Sequence, residues 1–283
     1  MDQKILDGKL VAELVETQVK EEIEALTKKN HIVPGLTTIL VGENPASKIY
    51  VNIKQKSCER VGIDSTAINL PEKISEKELL SKIQELNKKR SVHGILVQLP
   101  LPPHIDLLKV FSAIDPRKDV DCFHPINFGK LLIGKEDLVP CTPKGIIYLL
   151  EYYQIPIAGQ DVVIVNHSTL LGKPLSLMFL NRDATVLIAH IKTKDLKKIT
   201  EQAEILVVGA GVPNLITEDM VKDGAVVVDV GINRIEGKIV GDVDFDNVIN
   251  KVQAITPVPG GVGPMTVASL LQNTVITYKN LCF

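Results

Sequence analysis

Asp161–Leu180, DVVIVNHSTLLGKPLSLMFL, limits what this chain can fold into more than any other stretch. Val162–Val165 is a β-branched run suited to a buried parallel strand, and it breaks into a small polar loop before a helix begins. Pro174 fits a first helical position, where a missing N–H is tolerated. The loop Asn166–Gly172 would then turn free backbone N–H groups and a helix N-terminus toward an anion, as in sites for dinucleotide pyrophosphates. Only Gly172 survives of a GxGxxG pattern, with Asn166 and Ser168 in the earlier glycine places, so an ordinary βα turn explains the stretch equally well.

The segments that follow repeat the alternation. Strands are expected at 162–165, 185–189, 205–208 and 226–230, separated by helices at Asp195–Gln202, capped near Thr193, and at Thr217–Lys222, closed by Gly224. Such an order predicts a mainly parallel sheet with helices on both faces. Upstream, Pro140–Tyr153 reads as a crossing between domains, with Thr142 as a cap, Pro143 at the first helical position and an apolar run from Ile146 to Tyr152. Ile255–Met265 is too rich in Gly and Pro to be regular, and Pro264 starts a last helix to about Lys279. A chain of 283 residues makes about two domains. The expected division is 1–140 and 141–265, with 266–283 packing back on the first.

The first half also alternates. A helix is expected over Leu10–Leu26, a strand over Leu36–Val41, and a helix opened by Asn44 and Pro45 that stops at Gly62. Ser47, Tyr50 and Lys54 fall on one face of that helix, so a hydroxyl, a ring and an amine are presented together. A solvated lysine beside a half-buried tyrosine is the plainer account. A strand at Thr66–Leu70, a helix at Glu76–Lys88 and a buried strand at His93–Leu99 follow. Gln98 in that last strand needs a polar partner if it is buried, and strand C-terminal ends are where α/β proteins place their sites. Asp115, Asp119 and Asp121 lie near Arg117 and Lys118, which reads mostly as a surface turn, although one of these carboxylates could bind a substrate.

Composition removes other classes. The net charge is −2, aromatics are 4% and there is no Trp, so neither a polyanion partner nor a stacking platform for nucleic acid is indicated. The charged start MDQKILDGKLVAEL lacks an apolar targeting core, which points to the cytoplasm and away from membranes. Cys58, Cys122, Cys141 and Cys282 are scattered and the six His are dispersed, so no disulfide frame and no metal site is expected.

YVNIK (Tyr50–Lys54), VQLPLP (Val97–Pro102), DVDCF (Asp119–Phe123), PCTPKG (Pro140–Gly145), VVDVGIN (Val227–Asn233) and TPVPGGVGPMT (Thr256–Thr266) together closely resemble the bifunctional methylenetetrahydrofolate dehydrogenase/cyclohydrolase family, known as FolD. The resemblance covers essentially the whole chain. It implies an N-terminal α/β substrate domain, a Rossmann-like domain, and an active site in the cleft between them. There methylenetetrahydrofolate would give a hydride to NADP, with NAD also accepted, and the methenyl product would be hydrolysed to 10-formyltetrahydrofolate. Carried over by position, Lys54 is the catalytic lysine, Gln98 its bonded neighbour, Tyr50 the aromatic partner of the folate, and Asp121 the carboxylate for the pterin's donor edge. Pro259, Gly260, Gly261 and Pro264 would line the folate side. Asn166, His167, Ser168, Gly172, His190, Ile191 and Ile232 would face the cofactor. A homodimer is also implied.

Two departures stand out: Cys122 replaces the glycine that usually follows Asp-Val-Asp, and Asn166-His167-Ser168 replaces Gly-Arg-Ser. No carboxylate follows the 185–189 strand to repel a 2′-phosphate, and only His167, His190 and Lys192 remain as its donors. Two other readings compete with this one. Another Rossmann-type dehydrogenase explains Asp161–Asn233 but not Tyr50, Gln98 and the proline loop together. A nucleotide sensor without activity leaves Lys54 and Gln98 without a purpose.

Overall fold

The computed structural model describes residues 4–283, which divide into two compact units. Leu14–Cys141 with Val267–Phe283 form one, and the N-terminal stretch to Glu13 with Thr142–Thr266 forms the other. In chain order the elements are α1 (Gly8–Asn30), β1 (Gly35–Val41), α2 (Pro45–Val61), β2 (Asp64–Leu70), α3 (Glu76–Lys88), β3 (Gly94–Val97), α4 (Leu107–Ala113), α5 (Pro125–Leu132) and α6 (Cys141–Tyr152). Then come β4 (Asp161–Val165), α7 (Gly172–Leu180), β5 (Thr185–Ala189), α8 (Leu196–Thr200), β6 (Ile205–Val208), a 3-10 turn (Glu218–Met220) and β7 (Val226–Asp229). The hairpin β8 (Asn233–Ile235) and β9 (Lys238–Val240), α9 (Phe245–Val248), β10 (Ala254–Ile255) and α10 (Val262–Cys282) complete the chain. Among the described residues no helix is long and apolar enough to cross a membrane.

The unit holding Leu14–Cys141 is built on a parallel sheet of order β2-β1-β3. Central β1 is buried along its whole length, and Ile39, Val41, Ile95 and Val97 pack on Leu79 and Ile83 of α3. Helix starts follow their local chemistry. Asn44 Oδ1 accepts from Ser47 N at 3.0 Å with Pro45 behind it, and α2 closes on Gly62 at φ 85°. DPRKDVDCF is not the surface turn expected. Lys118 is buried and its Nζ donates to Leu86 O, Asn87 O and Lys89 O at 3.3, 2.9 and 2.8 Å, a cation set on the carbonyl end of α3.

The other unit carries a parallel sheet of order β10-β7-β6-β4-β5. Its core is made by Val163, Val165, Leu206, Val208 and Val227. The α/β class and the parallel sheet follow the expected alternation. The N-terminal stretch lies along the sheet's edge: Leu6 N donates to Ile255 O at 2.9 Å and Ile255 N to Lys4 O at 2.8 Å.

Several boundaries differ from the sequence expectation. Helices α6, α7 and α10 each begin two residues early, so Pro143, Pro174 and Pro264 stand third rather than first. All first-turn N–H groups lack an intrahelical partner, so a proline fits at any of these positions. β3 stops at Val97, where its pairing with Leu36–Ile39 of β1 ends, and β7 stops at Asp229. The expected helix at 217–222 is only a 3-10 turn, since Ile216 is drawn into a bridge with Val243. Asp195, not Thr193, caps α8, which ends at Thr200; Thr193 Oγ1 instead accepts from His190 N.

Asp229 closes β7 as a buried carboxylate. It accepts from Gly231 N, Asp242 N and Val243 N at 2.9, 3.0 and 2.9 Å, yet burial pushes it up to about 6. Its folded value lies above the unfolded one, so the stability it contributes is full below about pH 4 and is lost as pH rises toward 6. Subtracting the stability of Asp229→Asn from that of the parent should give a difference that falls by on the order of 2 kcal/mol between pH 4 and pH 6.5. Denaturant titrations across that range measure it; a flat difference would mean that the carboxylate is not ionising there.

Candidate active site

Lys54 and Gln98 come from different elements of the unit containing Leu14–Cys141 and meet directly. Lys54 lies on α2, one turn beyond Tyr50, and Gln98 follows β3, where its backbone N–H makes one more bond, to Ile39 O at 2.8 Å. Lys54 Nζ donates to Gln98 Oε1 at 3.0 Å. The other end of the amide is committed, because Gln98 Nε2 donates to Leu99 O at 2.9 Å. Ser47 Oγ donates to the same carbonyl at 3.3 Å. Ser47, Tyr50 and Lys54 thus share one helical face, as their spacing predicts, but Ser47 is buried and holds the loop that carries Gln98.

Asp121 completes the cluster. Burial raises its carboxyl above the ordinary range, while the charge of Lys54 and a hydrogen bond from the Cys141 thiol pull it back down. Burial also raises the Tyr50 phenol, which keeps it neutral as a ring and a hydroxyl. Two residues before Asp121, buried Asp119 accepts from His124 N at 2.8 Å and Asn127 Nδ2 at 3.0 Å, and burial pushes it up to about 6. These bonds fix the turn. Cys122 sits at φ 61°, the left-handed backbone that glycine adopts without penalty, so the turn keeps a glycine-like shape under a side chain that strains it. No local pattern in the sequence marks Asp119 or Cys141 as a site residue. The acid run Asp115, Asp119 and Asp121 was visible, but which member is tied down depends on contacts with distant segments.

The proline loop lies in the other unit. Gly260 has φ 110°, and a Cβ on Gly261 would stand 2.6 Å from Pro257 O, so both positions require glycine. Lys9 N donates to Gly260 O at 2.8 Å, and Pro259 is exposed at the loop's tip. Pro264 lies in the first turn of α10.

In the same unit, the loop after β4 differs from the expectation of open amides. Asn166 Oδ1 accepts from Ser168 N at 2.8 Å and from Gly172 N at 3.0 Å, and its Nδ2 donates to Gly209 O at 2.5 Å. Leu171 N donates to Ser168 Oγ, and Lys173 N to Ser168 O. A Cβ on Gly172 would fall 2.0 Å from Asn166 O, so this glycine serves the closure of the loop on its strand. His167 and His190 follow the paired strands β4 and β5, and their rings lie 4.7 Å apart. His190 Nδ1 accepts from Lys192 N at 3.2 Å, Ile191 is 92% exposed, and Ile232 is also exposed. No carboxylate stands among residues 190–194, and the basic set of two imidazoles and Lys192 suits a phosphorylated ribose.

Both halves of the chain match known family models. The catalytic domain of tetrahydrofolate dehydrogenase/cyclohydrolase matches residues 6–121, and its NAD(P)-binding domain matches residues 140–282. Bifunctional protein FolD of a Sulfurihydrogenibium species is 60% identical over 277 residues, covering 97% of each chain. That of Methanococcoides burtonii is 55% identical over 274 residues, covering 97% of this chain and 96% of the relative. The crystal structure of bifunctional FolD from Campylobacter jejuni superposes with a TM-score of 0.96 at 52% identity, covering 98% of this chain and 99% of that one. The Trypanosoma brucei enzyme, solved with NADP and an inhibitor, gives 0.94 at 36% identity over 98% of each chain. With both domains and nearly the full length matched, this chain belongs to the tetrahydrofolate dehydrogenase/cyclohydrolase family.

Proposed function

We propose that this chain oxidises 5,10-methylenetetrahydrofolate to the methenyl compound with NADP and hydrolyses that product to 10-formyltetrahydrofolate. Within a chain of this family, the observation that carries the residue assignment is the Lys54 to Gln98 hydrogen bond with Asp121 close enough to feel the Lys54 charge. NADP, when bound, supplies the hydride acceptor, and the protein contributes mainly orientation to that step. Tyr50 offers its ring to the folate, Asp121 accepts from the donor edge of the pterin, and Pro259–Pro264 borders the folate side. For hydrolysis, Lys54 passes a proton as water attacks the amidinium carbon, and Gln98 holds the amine in line.

Lys54→Met should lower methenyltetrahydrofolate hydrolysis by on the order of 10² or more while the fold persists. Loss of the methenyl absorbance, followed beside a melting curve, tests this; parental turnover in a folded variant would remove Lys54 from the mechanism.

The cofactor's 2′-phosphate is assigned to His167, His190 and Lys192. The ratio of kcat/KM for NADP over NAD should therefore fall several-fold in a His167→Ala, His190→Ala double variant, through KM for NADP and not for NAD. A double variant with the parental ratio would clear the histidines of this role.

The chain is further proposed to work in the cytoplasm as a homodimer. β5 is an edge strand whose residues alternate in exposure, with Leu187 and, on the preceding helix, Leu180 turned outward. Among the described residues no strand pairs with the outer edge of this five-residue strand, and an open edge beside apolar side chains favours a second copy. Light scattering should give twice the chain mass for the parent and a shift toward monomer for Leu187→Lys; a monomeric parent would contradict the assignment.

A further inference from the structure

Asn273 is fully buried in the middle of α10. An asparagine there is a poor helix former and an expensive group to bury, where a leucine of the same branched skeleton would carry no polar cost. Its Nδ2 donates to Val120 O at 2.8 Å and to Val139 O at 2.9 Å. The sulfurs of Cys122 and Cys141 lie around the same nitrogen at 3.7 and 3.6 Å. The Cys141 thiol, with one proton to give, lies 3.4 Å from Val120 O and close enough to Asp121 to lower its carboxyl.

Val120 O and the N–H of Asp121 belong to one rigid peptide plane. Holding that oxygen fixes the direction from which Asp121 leaves the backbone. Val139 lies two residues before Cys141, whose thiol touches the Asp121 side chain. One amide therefore fastens both the peptide that carries Asp121 and the segment that brings its thiol partner. Upstream, the chain is already tied to β3, with Ile95 N donating to Lys118 O at 2.7 Å. Downstream, Asp119 receives His124 N. Asn273 supplies the tie between these two, at the point where a small rotation would swing the carboxylate.

We infer that Asn273 is a positioning residue for folate recognition, acting through Asp121 by its bonds to Val120 O and Val139 O. This rests on the reading of Asp121 as the carboxylate that accepts from the pterin. Removal of both donors in Asn273→Leu keeps the branched skeleton and leaves the peptide plane only weak thiol bonds. Folate binding should weaken about tenfold, the effect of one well-placed hydrogen bond, while NADP affinity changes less than twofold.

The test is a double-mutant cycle between Asn273→Leu and Asp121→Ala, with dissociation constants for methylenetetrahydrofolate and for NADP measured by calorimetry. In the parent background Asn273→Leu should cost tenfold toward the folate; in the Asp121→Ala background it should cost less than twofold. Where the leucine variant fails to fold, Asn273→Ser, which keeps one donor, takes its place in the same cycle. An undiminished loss in the Asp121→Ala background, equal losses for the two ligands, or a variant that binds folate like the parent would each overturn the inference. Should Asp121→Ala alone leave folate binding unchanged, the reading of Asp121 fails and the inference falls with it. An effective Asp121→Ala with an additive cycle removes only Asn273.

Discussion

A parallel strand buried on both faces ends with peptide groups that have no ladder left to bond, and leaving each unpaired costs about 1–3 kcal/mol. In this chain single polar side chains meet that obligation at one strand end after another. Asn166 beyond β4 accepts from two amides and donates to the loop after β6. Asp229 at the end of β7 accepts from three. Gln98 beyond β3 donates to the carbonyl of the next residue. The loops that carry function are therefore held by side chains rather than by regular structure.

The same economy sets the chemical polarity of the catalytic cluster. With the amide nitrogen of Gln98 committed to Leu99 O, only its oxygen can face Lys54, which favours a donor there. Ser47 reinforces the choice by donating to the same carbonyl. Asp121 works against its own burial: the low-dielectric site raises it, and Lys54 with the Cys141 thiol limits the rise. Loss of the Lys54 charge would therefore leave less to offset the burial of Asp121.

Much of this was legible in the chain's own pattern. Strand and helix alternation, the Asn44 and Gly62 caps and the β-branched core strands are local signals, and β1, α2, α3 and β5 fall where their residues indicate. The prolines misled by two residues because the first turn of a helix tolerates proline throughout, so the residue marks a region and not a position. The one-faced spacing of Ser47, Tyr50 and Lys54 was likewise readable, and the meeting of Lys54 with Gln98 is a contact across 44 residues that no local pattern contains. The burial of Lys118 was not legible either. Its partners are carbonyls at the end of α3, and backbone acceptors leave no mark in a sequence. Nor does the pattern announce that a buried asparagine on the last helix binds the peptide before Asp121.

The cofactor loop illustrates how one substitution redistributes a binding function. An asparagine in place of the first glycine gains three hydrogen bonds for the loop, but it occupies the amides of Ser168 and Gly172 that an open loop would offer to a phosphate. With the first N–H groups of α7 bonded within the loop, what remains to attract an anion is the set of groups at the strand ends, namely the two adjacent imidazoles and Lys192. His167, His190 and Lys192 are all exposed. A unit charge pair 4 Å apart in water is worth only about 1 kcal/mol, and physiological salt screens it over about 8 Å. On the proposed assignment of the 2′-phosphate to these residues, discrimination between phosphorylated and unphosphorylated ribose is modest and sensitive to ionic strength. A bidentate guanidinium would fix a phosphate in one geometry, whereas exposed groups such as these would attract it without fixing it.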